Sequence, residues 1–211
     1  MKDELIAIAL WDILPFETCE PARELAMQCV DDYKLKRFIE TGTFKGGTSK
    51  WVICALPGLK IDTVEYSWPL YLFASLRLLP WRLKGHVLTH HGDSGKLMHS
   101  IADDSPTLFW LDAHSNTGGP LAEELRTIKN QVHKAVIMID DFSVGPNVQG
   151  IDLKCLQDNL PADDRIFMCK DIRWIDKQMV ARHIAVVFHG LVPPCLDGRF
   201  YERFSELVSK D

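Results

Sequence analysis

Two near-continuous apolar runs, Thr-Leu-Phe-Trp-Leu-Asp at residues 107–112 and Ala-Val-Ile-Met-Ile-Asp at 135–140, limit the folds open to this chain. A strand with one face in water alternates polar and apolar side chains. A strand that is apolar at almost every position is covered on both faces, as in a parallel sheet flanked by helices. Between the two runs, residues 120–132 carry Leu121, Leu125 and Ile128 on one helical face. Strand, helix and strand in that order make a parallel crossover unit.

The same alternation starts upstream. Residues 21–33 place Leu25, Ala26, Cys29 and Val30 at helical spacing, 36–40 read as a short strand, and 48–56 as a helix stopped by Pro57-Gly58. Strands at 60–65 and 86–91 and helices at 69–79 and 94–102 follow. The predicted architecture is α/β, an open, doubly wound and mostly parallel Rossmann-like sheet. The last third is less regular, with a weak helix at 151–159, strands at 165–169 and 183–189 forming an antiparallel pair at one sheet edge, and a closing helix at 200–208. No repeat, low-complexity tract or linker divides the 211 residues, so one domain is expected. Residues 1–35 would form a helical cover, 36–142 the ligand-binding core, and 143–211 the sheet edge and final helix.

In doubly wound sheets, ligands sit beyond the carboxyl ends of the strands, so the strand tails hold the candidates. The first tail is Glu40-Thr41-Gly42-Thr43-Phe44-Lys45-Gly46-Gly47-Thr48-Ser49. Its glycines permit close backbone approach, and free N–H groups at a helix start attract a carboxylate or phosphate. The same residues also suit a plain turn capped by Thr48 or Ser49. The spacing is neither G-x-G-x-x-G nor the G-K-[ST] ending of a phosphate loop, which argues against nicotinamide and ATP. The second strand ends at Glu65, far enough after Gly42 to suit a carboxylate gripping ribose hydroxyls. The third ends His90-His91-Gly92-Asp93-Ser94, where Asp93 either accepts from an adenine amino group or caps the next helix. The two histidines read as structural or adenine-side contacts.

The fourth strand ends Leu111-Asp112-Ala113-His114 and the fifth Ile139-Asp140-Asp141-Phe142. Asp112, Asp140 and Asp141 on adjacent tails suit Mg²⁺ or a similar hard cation, with water and substrate completing its shell; they also suit turn capping. His114 reads as a general base or as a solvent-facing histidine. Residues 115–120 form a loop suited to covering an acceptor.

Taken together and in this order, the tails resemble the class I S-adenosylmethionine-dependent methyltransferases, over roughly residues 36–142, about half the chain. The resemblance implies a cofactor site with Glu40, Thr41, Gly42, Thr43, Gly46, Gly47 and Thr48 at the methionine end. Glu65 would stand at the ribose, Asp93 and Ser94 at the adenine, and Asp112 beside the methyl donor. The fourth and fifth tails are similar to those of metal-dependent O-methyltransferases acting on catechols and macrolide sugars. That implies methyl transfer to a hydroxyl of a small molecule, with Asp112 and His114 as catalytic residues and Asp112, Asp140 and Asp141 around Mg²⁺. The alternatives are a metal-dependent hydrolase or phosphoryl-transfer enzyme on a related sheet, and a non-catalytic cofactor-binding protein.

Charge narrows the partners. With 24 Lys and Arg against 29 Asp and Glu, the formal charge is −5, which offers no general attraction for phosphate backbones, so nucleic acid is not an expected partner. The most basic stretch, residues 77–86, is interleaved with Leu, Pro and Trp and reads as a solvated helix end or as a rim for an anionic ligand. Cysteines 19, 29, 54, 155, 169 and 195 have no zinc spacing and read as buried thiols in a reducing compartment. The opening MKDELIAIALWDIL is broken by acids and fits neither a signal peptide nor a span of ~20 apolar residues. A cytoplasmic protein with no membrane partner is expected. Trp11, Leu14 and Phe16 suit core packing first, and cover of the site or a homodimer contact second.

Overall fold

The computed structural model describes residues 16, 19–113, 119–143, 150–175 and 178–204, with backbone alone for 170–175 and 178–182. Seven helices are described: α1 (Glu20–Asp32), α2 (Gly47–Ala55), α3 (Trp68–Arg77), α4 (Leu79–Arg82), α5 (Ser94–Ile101), α6 (Leu121–Gln131) and α7 (Leu153–Asn159). They alternate with β1 (Arg37–Thr41), β2 (Lys60–Glu65), β3 (Val87–His91), β4 (Thr107–Leu111), β5 (Ala135–Ile139), β6 (Arg165–Ile175), β7 (Gln178–His189) and β8 (Tyr201–Arg203). The strands form one sheet in the order β3-β2-β1-β4-β5-β7-β6-β8. β1 to β5 are parallel; β7 runs antiparallel to both β5 and β6, and β8 antiparallel to β6. This is an open, Rossmann-like sheet, mostly parallel with an antiparallel C-terminal part, as the sequence predicts.

β1, β4 and β5 are buried at every position, which is why their sequences lack alternation. The pleat divides their side chains between two cores. Phe38, Leu108, Trp110, Val136 and Met138 meet Ala22, Leu25 and Ala26 of α1 and Val52 of α2. On the other face, Ile39, Phe109, Leu111, Ile137 and Ile139 meet Met98 of α5 and Leu121, Leu125 and Ile128 of α6. Phe16 is fully buried, its ring 4.7 Å from Trp110 and 5.2 Å from Trp51. Burying such a side chain contributes about 2–3 kcal/mol. Phe16 therefore packs in the core, while Trp11 and Leu14 lie outside the described residues.

One ion cluster ties the strands of the β3 side together. Buried Arg37 reaches Asp62 at 2.6 Å and Asp103 at 2.7 Å, and Asp62 also holds His90 at 2.8 Å. His91 donates from Nε2 to the Tyr66 carbonyl at 3.1 Å and packs edge-on against Trp68. Both histidines thus have structural contacts.

Four local expectations change. The helix expected at 69–79 breaks at Leu78, because Pro80 at the start of α4 has no amide to donate back to the preceding turn. The strands expected at 165–169 and 183–189 extend through residue 175 and from 178, so the segment read as their connection is itself a hairpin. The closing helix expected at 200–208 is not formed at its start: residues 201–203 instead pair with the open edge of β6, which offers unpaired backbone groups; residues 205–208 lie outside the description. Of the six cysteines, all free, Cys54 and Cys195 are exposed and Cys155 is half-buried, so burial holds only for Cys19, Cys29 and Cys169. Cys54 faces outward because the apolar stripe of α2 passes through Val52. Among the described residues no helix is long and apolar enough to cross a membrane.

Candidate cofactor site at the strand tails

Strand order reverses between β1 and β4, and there the two tails touch. Gly42 has φ +77°, and a Cβ on it would stand 2.4 Å from the Asp112 carbonyl oxygen. The Asp112 N–H donates to the Thr41 carbonyl at 3.1 Å, and the Gly42 and Thr43 amides both donate to the Val64 carbonyl. Any side chain at position 42 would force these backbones apart. The glycine turn is thus pinned between its neighbours on both sides.

The turn then enters α2 through Gly46, at φ +75°, with no side-chain cap. Neither expected capping residue caps: the Thr48 hydroxyl accepts the Phe16 N–H at 3.3 Å, and the Ser49 hydroxyl donates to Glu40 at 2.6 Å. No side-chain acceptor from its N-cap residue therefore occupies the start of α2, where the first-turn amides carry the positive end of the helix dipole. A carboxylate-bearing ligand fits such an end.

Glu40 lies beneath the turn. Its Oε2 accepts from Ser49 and from Thr63, each at 2.6 Å, and Thr63 lies 2.5 Å from the Thr43 hydroxyl. Burial pushes its carboxyl up to about 7, against the pull of the Ser49, Thr63 and Thr48 hydroxyls. Glu40 thereby links β1, α2 and β2. Glu65, largely buried, accepts the Phe44 N–H on one oxygen and the Ser67 N–H on the other, both at 2.7 Å. Each oxygen keeps a second lone pair.

Asp93 caps α5, taking the Gly95 N–H at 3.0 Å, and its other oxygen lies 3.5 Å from Lys96. Capping, one of its two expected roles, is realised. Ser94 is buried beside Glu124 of α6, a residue that sequence reasoning missed. Burial pushes the Glu124 carboxyl up to about 7; the Ser94 and Thr41 hydroxyls oppose this, and the charges of Asp93 and Glu123 add to it. The signal was present: Glu124 sits within the apolar stripe of Leu121, Leu125 and Ile128.

Asp112 is half-buried at the tail of β4. Asp140 is buried, its N–H donating to the Leu111 carbonyl at 3.1 Å, while Asp141 turns into the left-handed region at φ +49° and is half-buried. Among the described residues no group of three or more His, Cys, Asp or Glu gathers to hold a metal. Of the three carboxylates expected around a metal, Asp140 is buried and Asp112 and Asp141 are half-buried. His114 and residues 115–118 lie outside the described residues.

No protein-family model matches the sequence, and comparison with curated proteins finds no match. Solved structures do resemble the fold. The O-methyltransferase TomG from Streptomyces achromogenes, in complex with SAM, aligns at TM-score 0.59 and 19% identity over 79% of each chain. An O-methyltransferase from Bacillus cereus in complex with SAH gives TM-score 0.59 and 19% identity over 88% of this chain and 89% of that one. Precorrin-6y C5,15-methyltransferase from Geobacter metallireducens gives 0.54 and 12% over 79% and 87%.

Proposed function

We propose that the protein is an S-adenosylmethionine-dependent methyltransferase acting on a hydroxyl of a small molecule. The observation that carries this reading is the meeting of the glycine turn and the Asp112 tail at the strand-order reversal, beside a helix start with no side-chain cap. Likeness to methyltransferase folds crystallised with SAM and SAH supports it.

The residues divide the work. The amides at the start of α2 and the turn from Thr41 to Thr48 would hold the carboxylate end of the cofactor, with Glu40 bracing the turn from below. Glu65 would take the ribose hydroxyls on its second lone pairs, and Asp93 with Ser94 would border the adenine. Bound there, the cofactor supplies a methyl group on a positively charged sulfur. Transfer forms the O–CH₃ bond as the S–CH₃ bond breaks, so the protein must align the acceptor oxygen in line and take its proton. Asp112, at the rim, and His114 are the proposed residues for that work. Asp112, Asp140 and Asp141 would be the residues to hold Mg²⁺, which would orient the acceptor hydroxyl and ease loss of its proton; no group of three or more metal-ligating side chains is found among the described residues, and no step is routed through the ion.

Calorimetric titration with S-adenosylhomocysteine tests the reading. Binding is expected, together with a drop of about tenfold or more for Glu65→Ala, which removes a bidentate hydroxyl acceptor. Absence of binding by the unmodified chain overturns it. Binding without turnover on any hydroxyl acceptor would leave a cofactor-binding protein instead.

A further inference from the structure

Between Glu65 and Asp93 the chain carries no carboxylate side chain; its Lys and Arg residues there are Arg77, Arg82 and Lys84. In a chain with 29 acidic residues and a formal charge of −5, this segment is a cationic island. It also holds much of the apolar surface that the fold leaves in water. Trp68, Leu72, Leu76, Leu79 and Leu83 recur every three or four residues and form one outward line along α3 and α4, flanked by Phe73. The inward residues Ala74 and Leu78 are already buried. This helix pair is therefore apolar on both sides, and among the described residues its outer side stays exposed.

We infer that the α3–α4 face docks on a lipid surface carrying anionic headgroups. Charge selects the partner. Lys84 is exposed, and Arg82, half-buried, donates to the Ser75 carbonyl. A second copy meeting the same face about a two-fold axis would bring a cationic patch against itself with no carboxylate in the segment to offset it. Shape agrees: Leu76 is 69% and Leu83 80% exposed, so they protrude as a ridge. A bilayer boundary accepts protruding apolar side chains without a matching pocket, and aromatic residues such as Tyr66 and Trp68 suit headgroup depth. The expectation of no membrane partner rested on the lack of a spanning segment, which surface docking does not need. Because the Ser67 amide at the start of α3 is held by Glu65, docking would bring the strand-tail rim close to the lipid.

Co-sedimentation of the full chain with vesicles tests this. At low salt the chain is expected to sediment with phosphatidylcholine vesicles containing phosphatidylserine and to remain in solution with phosphatidylcholine alone. Lys84→Glu should weaken partitioning by about tenfold. The pair Leu76→Ser and Leu83→Ser, both at exposed positions, should abolish sedimentation while thermal melting stays close to that of the parent. Three results overturn the proposal: no sedimentation with anionic vesicles, equal sedimentation with neutral ones, or unchanged binding by these variants. So does a dimer, detected by light scattering, that the two serine substitutions dissolve, because the face would then belong to a second copy.

Discussion

Alanine at positions 42, 46 and 47 should produce three different outcomes, although the residues share one glycine-rich turn. At Gly42 the added Cβ meets the Asp112 carbonyl oxygen at 2.4 Å and the Ala113 nitrogen at 3.1 Å, with φ at +77°. The left-handed backbone alone costs about 1–2 kcal/mol for a residue with a Cβ. Displacing a backbone carbonyl held between two strand tails raises the total to roughly 3 kcal/mol or more. For a domain of this size each kcal/mol moves the melting midpoint about 2–4 °C, so Gly42→Ala should melt some 6–12 °C lower. At Gly46 the backbone is again left-handed, but the nearest atom is a Leu78 side-chain carbon at 3.4 Å, leaving only the conformational cost. A fall of roughly 2–8 °C follows. At Gly47 nothing lies within 4 Å and the residue is helical, so alanine should be neutral or raise the midpoint by up to about 4 °C. Scanning calorimetry on the three variants checks the order. If Gly42→Ala melts within about 2 °C of the parent, or Gly47→Ala falls as far as Gly42→Ala, the close contact of the β1 and β4 tails is refuted.

Two further predictions concern charge. The Glu40 and Glu124 carboxyls are both pushed up to about 7 by burial. A raised carboxyl favours the protonated fold, so its stabilisation is complete below the unfolded value near 4.5 and is lost as pH rises through 7. His189, raised by Asp164 at 2.7 Å, adds a loss of the same sign as pH rises past its own folded value. Melting midpoints should therefore fall between about pH 5 and pH 8, and Glu124→Gln should flatten that fall, by up to about 3 kcal/mol; an unchanged slope would contradict the burial of that carboxyl. For the Arg37 cluster, Asp62→Ala removes the buried partner and leaves the guanidinium only the more exposed Asp103, which should cost about 3 kcal/mol in urea unfolding. Asp103→Ala removes a partner that is 56% exposed and should cost no more than about 1 kcal/mol. Equal losses would mean that burial does not set the strength of these pairs.

The parallel half of the sheet was legible because its strands are buried on both faces: TLFWL and AVIMI have no other economical reading. The strand tails were legible for a related reason, since topology sends each to the same rim. What stayed hidden depended on contacts distant in sequence. Whether Thr48 caps α2 is decided by Phe16 taking its hydroxyl, and no local pattern records that. Glu124 went unnoticed because its partners, the Ser94 and Thr41 hydroxyls, lie far from it in sequence. The β6–β7 hairpin was obscured because charged residues interrupt its alternation, and β8 because three residues carry too little pattern to compete with a helical reading.

The hydroxyl of Tyr201 donates to the carbonyl of Pro21 at 2.7 Å, joining the last described strand to the first described helix. During synthesis, residue 21 leaves the ribosome long before residue 201 exists. The final seat of α1 is therefore incomplete while most of the chain is being made, and the neighbouring core must wait with part of its apolar surface uncovered. Contacts this far apart in sequence slow folding. Nascent chains truncated before Tyr201 should thus be more open to proteases around α1 than chains that include it, and the protein's passage through the cell begins with that interval of exposure.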